Sequence, residues 1–168
     1  MIVLGVDPGS HATGFGVIAT TPSMRLLASG VIRPDRADPL AKRLLTIYED
    51  IMSVLEEYQP MEMAVESVFN ARNARSSLIL GHARGVVLLA GAREGLLVAE
   101  YAPREIKKAL TGNGAATKEQ LRFMVTRCLG LKGSVPALDE SDALAVALSH
   151  ASRCQAPLYG WKLKGGTT

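Results

Sequence analysis

The chain opens on a short apolar run, Ile2 to Val6, that stops at Asp7-Pro8-Gly9. A β-branched run closed by turn residues reads as a buried strand with a turn behind it. Thr13 to Ala19 and Met24 to Ile32 read as two further strands, most simply joined as a β-meander. The period then changes. Leu40, Leu44, Ile47, Ile51, Leu55 and Tyr58 recur at helical spacing. Asp38 is the expected cap of that helix, Pro39 its first residue and Pro60 its stop. Met61 to Val65 reads as a fourth strand ending at Glu66. A long helix spans about 72–94, with Gly95 as its cap. Leu96 to Tyr101 is a fifth strand, Pro103 to Leu110 a short helix and Thr111 to Gly114 a flexible loop. Thr117 caps a helix to about Leu129, and a last helix runs from Leu138 or Asp139 to about Ser152.

This order predicts an α/β fold, a five-stranded mixed sheet flanked by helices. The crossover from Glu66 to Tyr101 should join parallel strands with a right-handed connection. One domain over residues 1–153 accommodates the pattern. Residues 154–168, with Pro157, Gly160, Gly165 and Gly166, read as a flexible tail.

Composition excludes several classes. With 168 residues, 48% hydrophobic and 21% charged, the chain is neither disordered nor a disulfide scaffold. Cys128 and Cys154 show no CxxC or Cys/His metal spacing and read as small buried or partly buried thiols. The first residues reach a charge at Asp7, too soon for a signal peptide, and the apolar stretch from Val86 to Ala92 is too short to span a bilayer. The expectation is a soluble cytoplasmic protein with no membrane partner. The net charge of +3 is uninformative, but its distribution is not. Residues 1–71 carry five basic and nine acidic side chains, whereas residues 72–132 carry eleven basic and four acidic. A basic middle beside an acidic start points to a polyanion held by one region and acted on by another.

The acids of interest fall at strand and helix ends. Asp7 and Glu66 close the first and fourth strands, the edge where α/β sheets build sites. If those strands are parallel neighbours, the two side chains meet. Asp139 and Asp142 share a face one turn apart. Taken alone, that pair reads first as a helix start, a capping acid with a second acid favoured by the dipole. All four together would repel one another unless divalent cations compensated them. Carboxylates without Cys or His suit Mg²⁺, and two such ions serve phosphodiester hydrolysis.

These residues and their neighbours closely resemble the RuvC family of Holliday-junction resolvases. The similar segments are Leu4 to Ser10 with Thr13 to Gly16, Val65 to Asn73, Leu80 to Gly85, Tyr101 to Lys107, Lys118 to Gln120, and Asp139 to Ala145. They run in order almost to His150. The resemblance implies an RNase H-like fold, a homodimer and cooperation with the RuvA–RuvB branch-migration complex. It also implies nicking of two opposed strands of four-way junction DNA at a thymine-containing sequence, leaving 5′-phosphates. Two Mg²⁺ ions per site, replaceable by Mn²⁺, are implied as cofactor. The family's acidic motifs fall on Asp7, Glu66, Asp139 and Asp142 as catalytic metal ligands, with Asp139 the most replaceable. Glu140 matches no acidic motif position and reads as a first-turn dipole partner.

The resemblance also bears on DNA contacts. Phe69 alone reads as a core aromatic; by resemblance it stacks on or wedges against a junction base. Arg72 and Asn73 stand in the same similar segment and are taken as DNA contacts. Lys107 and Lys118 match positions the family uses near the scissile strand. Arg75, Arg84, Lys108 and Arg122 add to the basic excess, each also readable as a solvated surface charge. Gly81, Gly85 and Gly91 in the long helix fit either tight packing on the sheet or a close helix–helix dimer contact. His11, His82 and His150 have no metal-ligand spacing and read as structural or solvated. Three rival readings remain at this level. One is an ATPase with an actin-like phosphate loop, one a nuclease of ribosomal-RNA precursors, and one a junction-binding protein without catalysis.

Overall fold

Strand alternation decides which side chains meet which layer. The computed structural model describes residues 1–67, 74–131 and 136–154. It contains β1 (Ile2–Asp7), β2 (Thr13–Ala19), β3 (Arg25–Ile32), α1 (Leu40–Tyr58), β4 (Glu62–Glu66) and α2 (Ala74–Arg93). There follow β5 (Leu97–Tyr101), α3 (Pro103–Thr111), α4 (Lys118–Cys128) and α5 (Leu138–Cys154). The sheet order is β3-β2-β1-β4-β5. The first three strands pair antiparallel, as a meander does, and β1–β4 and β4–β5 pair parallel.

On one face, Leu4, Val6, Val17, Met63 and Val65 pack with Ile47, Ile51 and Leu55 of α1 and with Ala83, Val87 and Ala90 of α2. On the other, Val3, Ile18 and Ala64 pack beneath α5, and Ile106, Leu110, Leu121 and Val125 of α3 and α4 close over it. Helix α5 is therefore enclosed, and every residue from Ser141 to Ala151 is buried. Such a helix has no polar stripe, which is why its sequence, Ala143-Leu144-Ala145-Val146-Ala147-Leu148, is apolar all round.

Helix α5 also lies unusually close to the sheet. A methyl on Gly5 would overlap the Ala143 carbonyl oxygen and stand 2.5 Å from the Ala147 amide nitrogen. One on Gly14 would overlap the Asp139 carbonyl oxygen, and one on Gly16 would stand 2.5 Å from Leu144 Cδ2. Three glycines on one face of β1 and β2 thus form the bed of the helix.

Several expectations change in detail. Asp38 is not the cap of α1. Pro39 holds that position, and Asp38 pairs with Lys42 at 2.9 Å instead. Thr117 caps α4 as expected, accepting from the Gln120 amide at 3.2 Å, while Gln120 Oε1 accepts from the Thr117 amide at 2.9 Å. Gly95 follows α2 at φ +70°. Thr111 belongs to α3 rather than to a loop, and Gly112 at φ +75° ends it. Both cysteines are exposed rather than buried. Helix α5 continues to Cys154, two residues beyond its expected end. Only Gly91 of the α2 glycines touches the sheet, against Met63 and Val98; Gly81 and Gly85 face open space. The tail from residue 155 onward lies outside the described residues.

No helix among the described residues is long and apolar enough to cross a membrane.

Overpacking a bed this tight costs about 1–3 kcal/mol. Gly5→Ala should therefore lower the melting temperature by roughly 2–4 °C per kcal/mol lost. Thermal unfolding followed by circular dichroism measures it, and an unchanged midpoint would refute the proposed role of Gly5.

Candidate active site

The parallel register of β1 and β4 brings the first two acids together. Val6 pairs with Val65, so Asp7 and Glu66 end neighbouring strands side by side. Both point to the α5 face, because Val3 and Ala64, two or four residues earlier on the same strands, pack there. Glycines 5, 14 and 16 then let the first turns of α5 settle over the same strand ends, bringing Asp139 and Asp142 to the two strand acids.

The electrostatics show Asp7 and Glu66 under the influence of the acids around them. Burial pushes the Asp7 carboxyl up to about 7, with Asp142 and then Asp139 adding to the rise and Lys118 opposing it. Burial likewise pushes Glu66 up to about 8, aided by Asp7 and Asp142 and opposed by Lys118 and Lys107. A buried carboxylate with carboxylate neighbours holds its proton because neither water nor a cation stabilises its charge. Asp142 is buried and forms an ion pair with Lys118, Nζ to Oδ2 at 2.5 Å. That hydrogen bond holds the Lys118 ammonium above the ordinary lysine range. Asp139 is more open and reaches Arg33 at 3.4 Å. Glu140 stands in the first turn of α5 and accepts from Ser29 Oγ at 3.1 Å.

The sequence-predicted residues therefore divide. Asp7, Glu66, Asp139 and Asp142 come together. Lys118 and Lys107 reach the same acids through their charge, Lys118 by direct contact. Arg84 is tied to Glu100 by a two-nitrogen ion pair, so part of the expected basic surface is neutralised internally. Phe69, Arg72 and Asn73 lie outside the described residues. Thr13 anchors the loop after Asp7, donating to the Gly9 carbonyl at 2.8 Å, and this role had no sequence signal beyond the turn itself.

A second group was missed altogether. Glu62, His150 and Cys154 converge at the opposite end of α5. Its signal is the His-x-x-x-Cys spacing, one helical turn, concealed by an expected helix end at Ser152.

The four acids supply only oxygen donors, and the raised proton affinities of Asp7 and Glu66 mark a place suited to added positive charge. A carboxylate-rich site at the carboxyl edge of a mixed sheet is thus present.

Comparison with known proteins agrees. The family model described as "Crossover junction endodeoxyribonuclease RuvC" matches residues 3–150. A protein of that name from Chromohalobacter salexigens is 52% identical over 151 residues, 89% of this chain and 80% of that protein. One from Caulobacter vibrioides is also 52% identical over 151 residues, covering 89% of each. The structure of Thermus thermophilus RuvC in complex with Holliday junction substrate superposes with a TM-score of 0.87 at 36% identity, covering 94% of this chain and 96% of that one. The five-stranded mixed sheet with its helices is accordingly the RNase H-like α/β fold of that protein. Matched over residues 3–150 by the family model and at about half identity by these relatives, the chain belongs to the RuvC family of crossover junction endodeoxyribonucleases.

Proposed function

We propose that this chain resolves four-way DNA junctions with Asp7, Glu66, Asp139 and Asp142 as the ligands of two Mg²⁺ ions. One observation carries the reading: Asp7 and Glu66 are held beside Asp142 with their proton affinities raised to about 7 and 8. No structural need of the fold calls for acids placed so unfavourably. Mn²⁺ is an acceptable substitute for such an oxygen-only donor set.

By family resemblance, Asp7 would serve both ions, with Glu66 helping to hold one and Asp142 with Asp139 the other; Asp7 lies in the field of both Asp142 and Asp139, as that reading needs. When bound, the ions supply charge stabilisation to an attacking water and to the leaving oxygen of the phosphodiester. Lys118 compensates Asp142 directly, and on metal loading it is free to contact phosphate with Lys107. Phosphate contacts of this kind position the strand without reading its sequence. By family resemblance, Phe69 engages an unpaired junction base and Arg72 and Asn73 hold the adjoining strand.

Paired nicking of a two-fold junction requires two sites, and α2 offers the interface. Leu78, Gly81, Gly85 and Leu89 recur at three- and four-residue steps, so they form one stripe. Leu78 and Leu89 are 67% and 61% exposed, and a methyl on either glycine would meet open space. Large apolar side chains flanking glycines on an exposed helix fit a close two-fold contact between copies. The cytoplasmic setting and the RuvA–RuvB partnership belong to the same proposal and rest on the family resemblance.

Asp7→Asn should abolish Mg²⁺-dependent nicking of a synthetic mobile junction, while gel-shift binding in Ca²⁺ stays within about twofold of wild type. Nicking by the variant at the wild-type rate would remove Asp7 from the proposed metal site.

The raised proton affinities have a sign that can be checked. A carboxylate whose folded value lies above its unfolded one, about 4, favours the folded state most at low pH. That contribution is lost as pH rises through about 7 for Asp7 and about 8 for Glu66. Without divalent ions, Asp7→Asn should match wild type near pH 4 and melt above it at pH 8 and beyond. Melting curves across that range test it, and a gap of equal size at both ends would contradict it.

Leu89→Asp should convert the protein to a monomer in sedimentation velocity and abolish paired nicks, leaving the fold intact by circular dichroism. A dimer that survives it would exclude α2 as the interface.

A further inference from the structure

Helix α5 carries chemistry at both ends. At the end far from the nuclease acids, His150 is 3% exposed and held on both sides. Tyr101 Oη lies 2.8 Å from its Nδ1, and Glu62 Oε2 lies 2.5 Å from its Nε2. Cys154, one turn further along α5, places its Sγ 3.5 Å from the same Glu62 oxygen and 3.7 Å from the same His150 nitrogen. Three different donor atoms, imidazole nitrogen, carboxylate oxygen and thiol sulfur, thus lie within 4.8 Å of one another.

We propose that Glu62, His150 and Cys154 form a second metal site, selective for Zn²⁺ and similar transition-metal ions, that ties the end of α5 to the start of β4. The geometry is close to what such an ion needs. A tetrahedral zinc with bonds of ~2.0 Å to nitrogen and oxygen and ~2.3 Å to sulfur separates its ligands by roughly 3.3–3.6 Å. The sulfur edge to Glu62, 3.5 Å, already falls in that range, and the one to His150, 3.7 Å, lies just beyond it. The edge between His150 and Glu62 must open by about 0.8 Å to reach that value, a small rotation of the Glu62 carboxylate, which is partly exposed.

The surroundings fit a ligand histidine. With an ion bound, Nδ1–H would donate to the Tyr101 oxygen 2.8 Å away, freeing the Nε2 lone pair on the side of Glu62 and Cys154. Tyr101 is in turn covered by Arg153, whose guanidinium lies 4.5 Å from the ring centroid. Cys154 is exposed, so an ion can enter from solvent and a water can fill the fourth position. Burial and the Glu62 carboxylate keep the Cys154 thiol protonated, so loading would release its proton.

This site is distinct from the nuclease acids in both place and chemistry. Asp142 to His150 is eight residues, about 12 Å along a helix axis. Glu62 to Glu66 is four residues of strand, about 13 Å. Thiolate and imidazole favour Zn²⁺ or Co²⁺ strongly over Mg²⁺, whereas the oxygen-only acids suit Mg²⁺ supplied in excess. The ion would be a staple: it joins the same strand and the same helix that, at their other ends, present Glu66 and Asp142.

Cobalt makes the test visible. Chelator-treated, reduced protein is titrated with Co²⁺ in excess Mg²⁺, which occupies the carboxylate site. Wild type and Cys128→Ser should each gain a thiolate-to-cobalt charge-transfer band and tetrahedral visible bands, saturating at one ion per chain. Cys154→Ser should lose the charge-transfer band yet nick junctions at the wild-type rate. Tyr101→Phe should bind Co²⁺ about 10–100-fold more weakly, as loss of an outer hydrogen bond to a ligand histidine does. No charge-transfer band in wild type, or one that persists in Cys154→Ser, would overturn the proposal and leave an ordinary histidine–glutamate ion pair.

Discussion

The close seating of α5 on bare backbone is the constraint on which the other features depend. Three strand positions, Gly5, Gly14 and Gly16, have given up side chains so that Asp139, Ala143, Leu144 and Ala147 can lie directly on the sheet. Any side chain there lifts the helix by a large part of a methyl diameter. Lifting it would separate Asp142 from Asp7. Packing and chemistry are thus one geometric condition. The apolar surface that drives α5 into the protein also carries its acids to a place they would not otherwise occupy.

That arrangement sets two free energies in opposition. Burial of Val3, Ile18, Leu144 and Leu148 favours closing the helix onto the sheet. Bringing Asp7 and Glu66 beside Asp142 opposes it, as the raised proton affinities of the two strand acids record. Lys118 is the internal compromise. Its ammonium sits on Asp142 and lowers the cost for both strand acids. Because α4 is capped by Thr117 through paired bonds with Gln120, the lysine is fixed at the first turn of a well-defined helix. A site under such tension responds to added divalent charge because charge is what it lacks.

Much of this was legible in the sequence, and for identifiable reasons. Apolar runs bounded by turn residues marked the five strands described, and the parallel pairing of β4 and β5 followed from the helix between them, whereas the parallel neighbourhood of β1 and β4 stood only as the condition for the two strand-end acids to meet. The site acids stood out because carboxylates at the ends of apolar strands are costly. Boundary errors arose where two residues compete for one role, as at Asp38 and Pro39, since a proline supplies the extended dihedral that the cap position requires. The glycines of α2 could not be sorted by spacing alone. Gly91 meets Met63 while Gly81 and Gly85 face outward, a distinction that depends on the rotation of the helix about its axis. The Glu62–His150–Cys154 cluster was hidden because its members are 88 positions apart from first to second, and only the parallel sheet under α5 joins them.

The order of the elements along the chain adds a temporal aspect. Asp7 ends the first strand, and Asp142 lies in the last described helix. During synthesis, the sheet with α1 and α2 can gather around its own core before α5 leaves the ribosome. Until then Gly5, Gly14 and Gly16 are an open furrow, and the strand acids have no partners from α5. The carboxylate-rich site is therefore complete only once α5 is in place. A chain that stopped before α5 would hold Asp7 and Glu66 but lack the other two acids of the proposed site.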